Sequence, residues 1–557
     1  MNVHATLSRK EFLTSLFVAS ASCVFPMSVL QGEQQESDIT LDDLKSFEKI
    51  VGIEFSEEER SQILNTVRSA RRTYRSMRSK PVDNSVPHPT PFLPKPFEKK
   101  DFQNKKDLTV NNSSENLKDN DLAFATVAEL STLIKTKQIK STFLTEFFLN
   151  RLETYGEKLL CVVNLTPELA RQQAKRADEE IEKGIYRGVL HGIPYGVKDL
   201  FATKKYPTTW GAEPFKDQVL DYDSGVVELM ENAGAVLCAK LSMGALAQGD
   251  VWFKGRTKNP WNPQQGSSGS SAGSACAVAG GLLPFAIGTE TLGSIVSPSH
   301  FCRVTGLRPT FGRVTRYGAM TLCYSMDKVG PICKTAEDCA LVFHYLHGSD
   351  PRDNATFDYP FAWNPDVDLS KLKIGYLVLP NADLGDKSEL NEHDYLKLLV
   401  DLGAHPEPIK FDQSPDYVMT ILGVESACAF DDFTLSEGIK NLKDSAWPNT
   451  FRVARYVPAV EYLRAMRKRS ELMQSFERHF GDFDMFIAFE RGGYTLAQTN
   501  LTGHPQILIP FGTNANGSQR SVSLIGRLYD EARLLAVAWK YQQKAGFWKL
   551  RPDLSKL

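Results

Sequence analysis

The chain of 557 residues carries 65 Lys and Arg against 67 Asp and Glu, a formal net charge of −2, with 42% hydrophobic and 24% charged residues. That balance is ordinary for a globular enzyme with a large core, and it gives no general reason to bind nucleic acid or an anionic membrane. The nine cysteines are scattered and form no Cys-x-x-Cys pair, so they read as reduced core residues rather than zinc or iron–sulfur ligands.

At the N-terminus, Arg9 and Lys10 precede a moderately apolar run from Phe12 to Leu30. Residues 1–36 read as an export signal rather than a spanning helix, because the run is marginal in length and holds Thr14, Ser15, Ser20, Ser22 and Pro26. Ser8 to Leu13 resembles a twin-arginine signal with Lys10 in place of the second arginine. Such export carries folded proteins, which suits unpaired cysteines. The expected location is the periplasm or cell envelope, with the cytoplasm as the alternative. Ser20-Ala21-Ser22 before Cys23 lacks the aliphatic residue that a lipid anchor there would need.

Residues 37–80 read as a helical extension. Thr40-Leu41-Asp42-Asp43 starts one helix, and Ser56-Glu57-Glu58-Glu59 starts a second with Ser56 as cap. Arg68, Arg71, Arg72, Arg75 and Arg78 form a basic run, read as a solvated face with an acidic partner as the alternative. Six prolines from Pro81 to Pro96 imply an extended strap, and residues 97–120 a polar linker, so that 81–120 separates the extension from a catalytic domain over 121–557.

In that domain Thr126-Val127-Ala128-Glu129 is a capping box, and Thr166-Pro167 a helix start with Thr166 as cap. Short apolar runs alternate with the helices: Leu160 to Val163, Ala235 to Ala239, Leu282 to Ile287, Ile374 to Val378, Met485 to Ala488, Gln506 to Ile509 and Ser521 to Ile525. The alternation predicts an α/β fold with its sheet covered on both faces. The last helix starts at Asp530 and stops at Gly546.

Three segments carry chemistry. Lys198 lies in the apolar stretch Ile193 to Asp199, a serine-rich glycine loop runs from Gly266 to Ala275, and Ser294 ends Gly288-Thr289-Glu290-Thr291-Leu292-Gly293-Ser294. A serine is a poor nucleophile at neutral pH, and a lysine whose pKa burial lowers can be its base. The loop is no phosphate loop, since no Gly-Lys-Ser/Thr follows. Gly269 to Gly273 satisfies the Gly-x-Ser-x-Gly elbow, but that motif needs a strand immediately before it, and Asn259 to Gln265 does not read as one. The small residues from Ala272 to Gly281 continue as a helix. His191, His300 and His504 sit beside motifs and are read as pocket-lining at most, and Asp199 as orienting its turn.

Gly269 to Ala275, Gly288 to Ser294 and Gly306 to Arg313, in that order, resemble the amidase signature family. Asn259-Pro260-Trp261, Asn500 to Pro505 and Leu524 to Glu531 extend the resemblance, which runs from about Asp121 to the C-terminus. It implies a mixed, twisted β-sheet core covered by helices on both faces, to which the N-terminal helical extension is added. It also implies a triad: Lys198 as base, Ser270 as the family's cis-serine and Ser294 as nucleophile. The backbone N–H groups of Thr291, Leu292, Gly293 and Ser294 match its oxyanion hole, where one donor is typically worth about 3 kcal/mol. Two positions depart from the family. Leu292 replaces a glycine and should narrow or reshape the pocket floor; Val296 replaces an arginine, so Glu290 needs another donor.

The expected activity is metal-free and cofactor-free hydrolysis of a carboxylic amide. The alternative is the glutaminase component of a tRNA-dependent amidotransferase, which shares the fold and triad but needs a partner protein and a cytosolic site. The expected partner is a small-molecule amide, without nucleic acid and without a membrane span in the mature protein; a homodimer is left open. The identity of the amide does not follow.

Overall fold

The computed structural model describes residues 38–79, 108, 122–385, 393–442, 445–514 and 517–557. The export-like segment 1–36 and, Leu108 apart, the strap and linker 81–120 lie outside these residues. Contacts divide the chain into a unit of residues 1–60 and a unit of residues 61–557.

In the first unit, helix Leu41–Val51 starts at a reciprocal cap. Thr40 Oγ1 accepts from Asp43 N at 3.2 Å, and Asp43 Oδ2 accepts from Thr40 N at 2.8 Å. Buried Glu48 accepts from Phe55 N and pairs with Arg60 at 2.9 Å. The next helix, Glu57–Ser79, is capped by Ser56 and Glu59 as the sequence predicts. Most of it belongs to the second unit, so contacts divide the helical segment read as 37–80. Tyr74 and Met77 pack with Met326, Ile421 and Met466. Arg78, the last of the basic run, pairs with Glu461 at 2.6 Å. That arginine therefore holds an acid of the same unit rather than only facing solvent.

The second unit is built on one sheet of eleven strands: β1 Val162–Leu165, β2 Pro194–Lys198, β3 Val236–Leu241, β4 Phe285–Glu290, β5 Thr305–Arg308, β6 Lys328–Cys333, β7 Ile374–Leu377, β8 Glu407–Ile409, β9 Met485–Phe489, β10 Gln506–Thr513 and β11 Gln519–Gly526. Their spatial order is β1-β3-β2-β4-β6-β5-β10-β11-β9-β7-β8. Strand β2 runs parallel to β3 and β4, and β7 parallel to β8 and β9; the other pairs are antiparallel, so the sheet is mixed. Every residue of β2, β3 and β6 is buried. Successive side chains point to opposite faces, so both faces are covered there, as expected of an α/β fold.

All seven predicted apolar runs overlap strands, with shifted ends. Leu160 adopts φ 52°, and β1 starts two residues later. Four strands (β2, β5, β6 and β8) lie outside those runs. In β2, Gly196 is required, because a Cβ there would meet Leu241 Cδ1 at 2.6 Å and Leu283 Cδ1 at 2.8 Å. The helix Pro167–Glu182 has its predicted proline start, but Thr166 does not cap it; its hydroxyl donates instead to Leu237 O on β3 at 2.6 Å. Every described cysteine is free, and only Cys428 among them is exposed.

Candidate active site

Lys198 is the last residue of β2, held between β3 and β4, and is wholly buried. Its amine donates to Ser270 Oγ at 2.8 Å, Thr289 Oγ1 at 2.9 Å and Thr289 O at 3.4 Å. Three N–H bonds thus meet three neutral oxygens. Burial pushes the amine down to about 7, against the pull of Asp327 and Glu290.

Ser270 follows a cis peptide bond from Gly269. A Cβ on Gly269 would lie 1.8 Å from Gly249 O, so only glycine fits there. Contrary to the sequence reading, part of Asn259 to Gln265 is a strand: Lys258–Asn259 and Asn262–Gly266 form a two-stranded ribbon apart from the main sheet. Its proline and glutamines show no apolar alternation because the ribbon is mostly exposed. The ribbon ends four residues before Ser270, which bonds a lysine rather than a histidine, so the elbow pattern still does not describe the site. Ser267 N and Ser268 N anchor the loop on Thr257 O and Asp250 Oδ2. Helix Ala272–Ala279 then packs closely enough that a Cβ on Gly273 would meet Cys161 O and Ser242 N at 2.4 Å. Ser271 Oγ and Ser274 Oγ donate to Thr289 O and Ile287 O, which ties this helix to β4.

After β4 the chain turns through Thr291 to Ser294 into helix Val296–Cys302. Gly293 makes the turn at φ 91°, a conformation that favours glycine. The N–H groups of Thr291, Leu292 and Gly293 meet no acceptor within the protein among the described residues, as an oxyanion hole requires. Ser271 N donates to Ser294 O at 3.2 Å, joining the two serine segments. Exposure rises along the expected relay, from 0% at Lys198 through 1% at Ser270 to 9% at Ser294.

Glu290 supports this turn from beneath. Its Oε2 accepts from Ile295 N at 2.8 Å and Val296 N at 3.0 Å; its Oε1 accepts from Arg308 Nη1 at 2.8 Å and Asn500 Nδ2 at 3.0 Å. Burial alone would raise the carboxyl, but Arg308 and these donors hold it at about 2. The donor that Val296 does not provide thus comes from β5 and from the Asn500 motif. Leu292 is half-buried and packs against the main core.

Beside the relay lies a cavity of about 180 Å³, lined by Thr289, Thr291, Met320, Leu322, Asp327 and Lys328 among others. Leu292 is not part of this lining, so the expected narrowing of the pocket floor is not seen here. Thr291 Oγ1 donates to Asp327 Oδ1 at 2.5 Å, and Asp327 Oδ2 accepts from Leu322 N and Cys323 N. Thr289, Asp327, Lys328, Arg308 and Asn500 were not singled out from sequence as site residues. Arg308 and Asn500 stood inside quoted motifs, but nothing local signals their acidic partner.

The other candidates lie elsewhere. Asp199 accepts from Thr209 N at 2.9 Å and pairs with Lys240 at 3.1 Å, which fixes its turn. His191 bonds to Arg187 N and lies beside Glu180, His300 bonds to Ser521, and His504 to Thr502 and Glu477. None of the three bonds to Lys198, Ser270 or Ser294. Burial pushes His191 and His300 down to about 4.

Residues 144–488 match the family model described as Amidase. The chain is similar to the glutaminase-type component, the first-lettered one, of the Glutamyl-tRNA(Gln) amidotransferase of Methylococcus capsulatus, at 34% identity over 484 residues, 76% of this chain and 98% of that one. It is 30% identical to the protein of the same name from Carboxydothermus hydrogenoformans, over 78% of this chain and all of that one. Among solved structures, the native peptide amidase from Stenotrophomonas maltophilia superposes with a TM-score of 0.68 at 25% identity, covering 77% of this chain and 98% of that one. An amidase family protein from Bacillus anthracis superposes with a TM-score of 0.69 at 26% identity, covering 78% of this chain and 94% of that one.

Proposed function

The chain belongs to the amidase family, and we propose that it hydrolyses a carboxylic amide through an acyl-enzyme on Ser294. Ser294 Oγ attacks the carbonyl carbon while Ser270 takes its proton and passes one to neutral Lys198. The N–H groups of Thr291, Leu292 and Gly293 receive the charge that develops on the carbonyl oxygen. As the C–N bond breaks, the relay returns the proton to the leaving ammonia or amine. Water then attacks the ester by the same route and releases the acid.

The observation that carries this reading is the buried Lys198 amine donating to Ser270 Oγ at 2.8 Å among neutral oxygens only. Burial without an ion-pair partner keeps a lysine neutral enough to act as a base. The test is to trap the acyl group: incubation with an amide and hydroxylamine should yield hydroxamate, and rapid acid quench should leave the acyl mass on the peptide that holds Ser294. Acyl mass on another residue, or turnover without any acyl-enzyme, would refute the reading.

A second reading is favoured by the 34% identity that spans nearly the whole of the Methylococcus capsulatus protein. In it the same triad works as the glutaminase component of a tRNA-dependent amidotransferase. About a quarter of this chain lies outside that match, which favours the first reading. Co-purification with partner proteins that are needed for turnover would support the second.

Arg9, Lys10 and the apolar run after them further support export to the periplasm or cell envelope. Among the described residues, no helix is long and apolar enough to cross a membrane.

A further inference from the structure

The cavity beside Thr289 and Thr291 holds about 180 Å³. An engineered apolar cavity of about 150 Å³ accepts a single benzene, so an amide group and a short chain already fill this space. Arg316, Tyr324 and Asp353 line it and also line a second cavity of about 450 Å³.

The charged part of this common wall is already paired. Arg316 Nε and Nη2 donate to the two oxygens of Asp353, each at 2.9 Å, and Nη1 donates to Tyr324 O at 2.6 Å. The guanidinium also lies 5.1 Å from the Phe311 ring centre. Arg469, the other cation on the second cavity, is occupied in the same way. Its guanidinium donates to Leu501 O, and at 2.8 Å to both Ser325 Oγ and Ser325 O. Neither arginine is left to draw an anion. Much of the remaining wall is apolar or aromatic: Phe311, Phe357, Met473, Leu501, Leu528 and Tyr529. Walls of this kind favour ring edges and faces in offset contact.

We propose that the larger cavity is a substrate subsite that takes a neutral, ring-bearing substituent of the amide while the scissile group occupies the smaller cavity. Size and charge both support this. The small cavity has no room for a ring beside the amide, whereas the adjoining one falls in the usual range for ligand pockets, about 300–1,000 Å³.

The inference rests on the amidase reading, and the test separates the two. Butyramide and 4-phenylbutyramide share a leaving group and reacting carbonyl and differ by a ring on the acyl side; butyranilide places the ring on the leaving side. Wild-type full-length protein should favour one ring-bearing amide over butyramide by about tenfold or more in kcat/KM. Ala355→Trp and Leu528→Trp fill the larger cavity from two separate segments, and each should remove most of that preference. Using two variants guards against one that misfolds, and circular dichroism identifies it. Hydrolysis of butyramide without a ring preference, or a preference unchanged in both folded variants, overturns the subsite and leaves the amidase reading standing. Failure to hydrolyse any amide overturns both.

Discussion

Lowering the pH should switch the enzyme off through Lys198, over a range set by the burial of its amine. The amine has 0% exposure and no carboxylate partner, and burial brings it from 10.5 to about 7. That displacement corresponds to a free energy on the order of 5 kcal/mol withdrawn from the ammonium form. The relay needs the neutral amine, because an ammonium cannot accept the serine proton. With a midpoint of about 7, roughly a tenth of the enzyme is competent at pH 6 and roughly nine-tenths at pH 8. Activity is therefore lost as pH falls. The assay is ammonia release from a primary amide at substrate far below KM, so that kcat/KM reports the free enzyme. It should rise tenfold per pH unit below the midpoint and level off above it, and Lys198→Ala should abolish that limb with the residual rate. A limb at about 4, where burial places His191 and His300, would move the base to a histidine. A rate still rising past pH 9 would mean an unshifted lysine, and either result refutes the assignment.

The remaining expectations address single parts of the site. Ser294→Ala should abolish acyl-enzyme formation in quench experiments and leave the thermal unfolding midpoint close to wild type, since a small turn residue loses little packing. Gly293→Ala puts a Cβ at φ 91° and 3.1 Å from Ser297 Oγ; by displacing an oxyanion donor it should lower kcat by about 10²–10³-fold, measured in steady state. Arg308→Met leaves Glu290 buried without its cation and should cost about 3–5 kcal/mol in urea unfolding. Removing residues 1–30 should leave specific activity unchanged and retain the enzyme in the cytoplasm, read by cell fractionation.

What the sequence made legible was local. The capping box at Thr126 forms through Glu129 at 2.7 and 3.1 Å, and Gly546 closes the last helix with its N–H on Gln542 O. Each signal lies within four residues of its effect. The strands that escaped notice are bound by distant partners. Strand β2 ends in a lysine, β5 ends in an arginine and β6 begins with a lysine, and none presents an uninterrupted apolar run. Arg308 can be buried in β5 because Glu290 waits on β4, a fact that no window along the chain contains. Thr166 makes the same point in reverse. A threonine before a proline reads as a cap, yet its hydroxyl finds a strand carbonyl 71 residues away.

The two departures from the family pattern show why motif positions differ in weight. Val296 removes an arginine side chain, but the position still supplies its N–H to Glu290, and Arg308 and Asn500 complete the clamp. Leu292 adds a side chain where a glycine was expected, and that side chain turns into the core while its N–H keeps no internal acceptor. Both tolerances follow from one cause: at these positions the site uses main-chain groups. Gly269 and Gly293 are different, because there the main chain itself has no room or no freedom for a Cβ. A leucine at Gly293, one position after the leucine it carries now, would force apart the turn whose N–H groups face the reacting carbonyl. The identity of a residue is therefore a poor guide to the loss of this site unless one asks whether its side chain or its backbone does the chemistry.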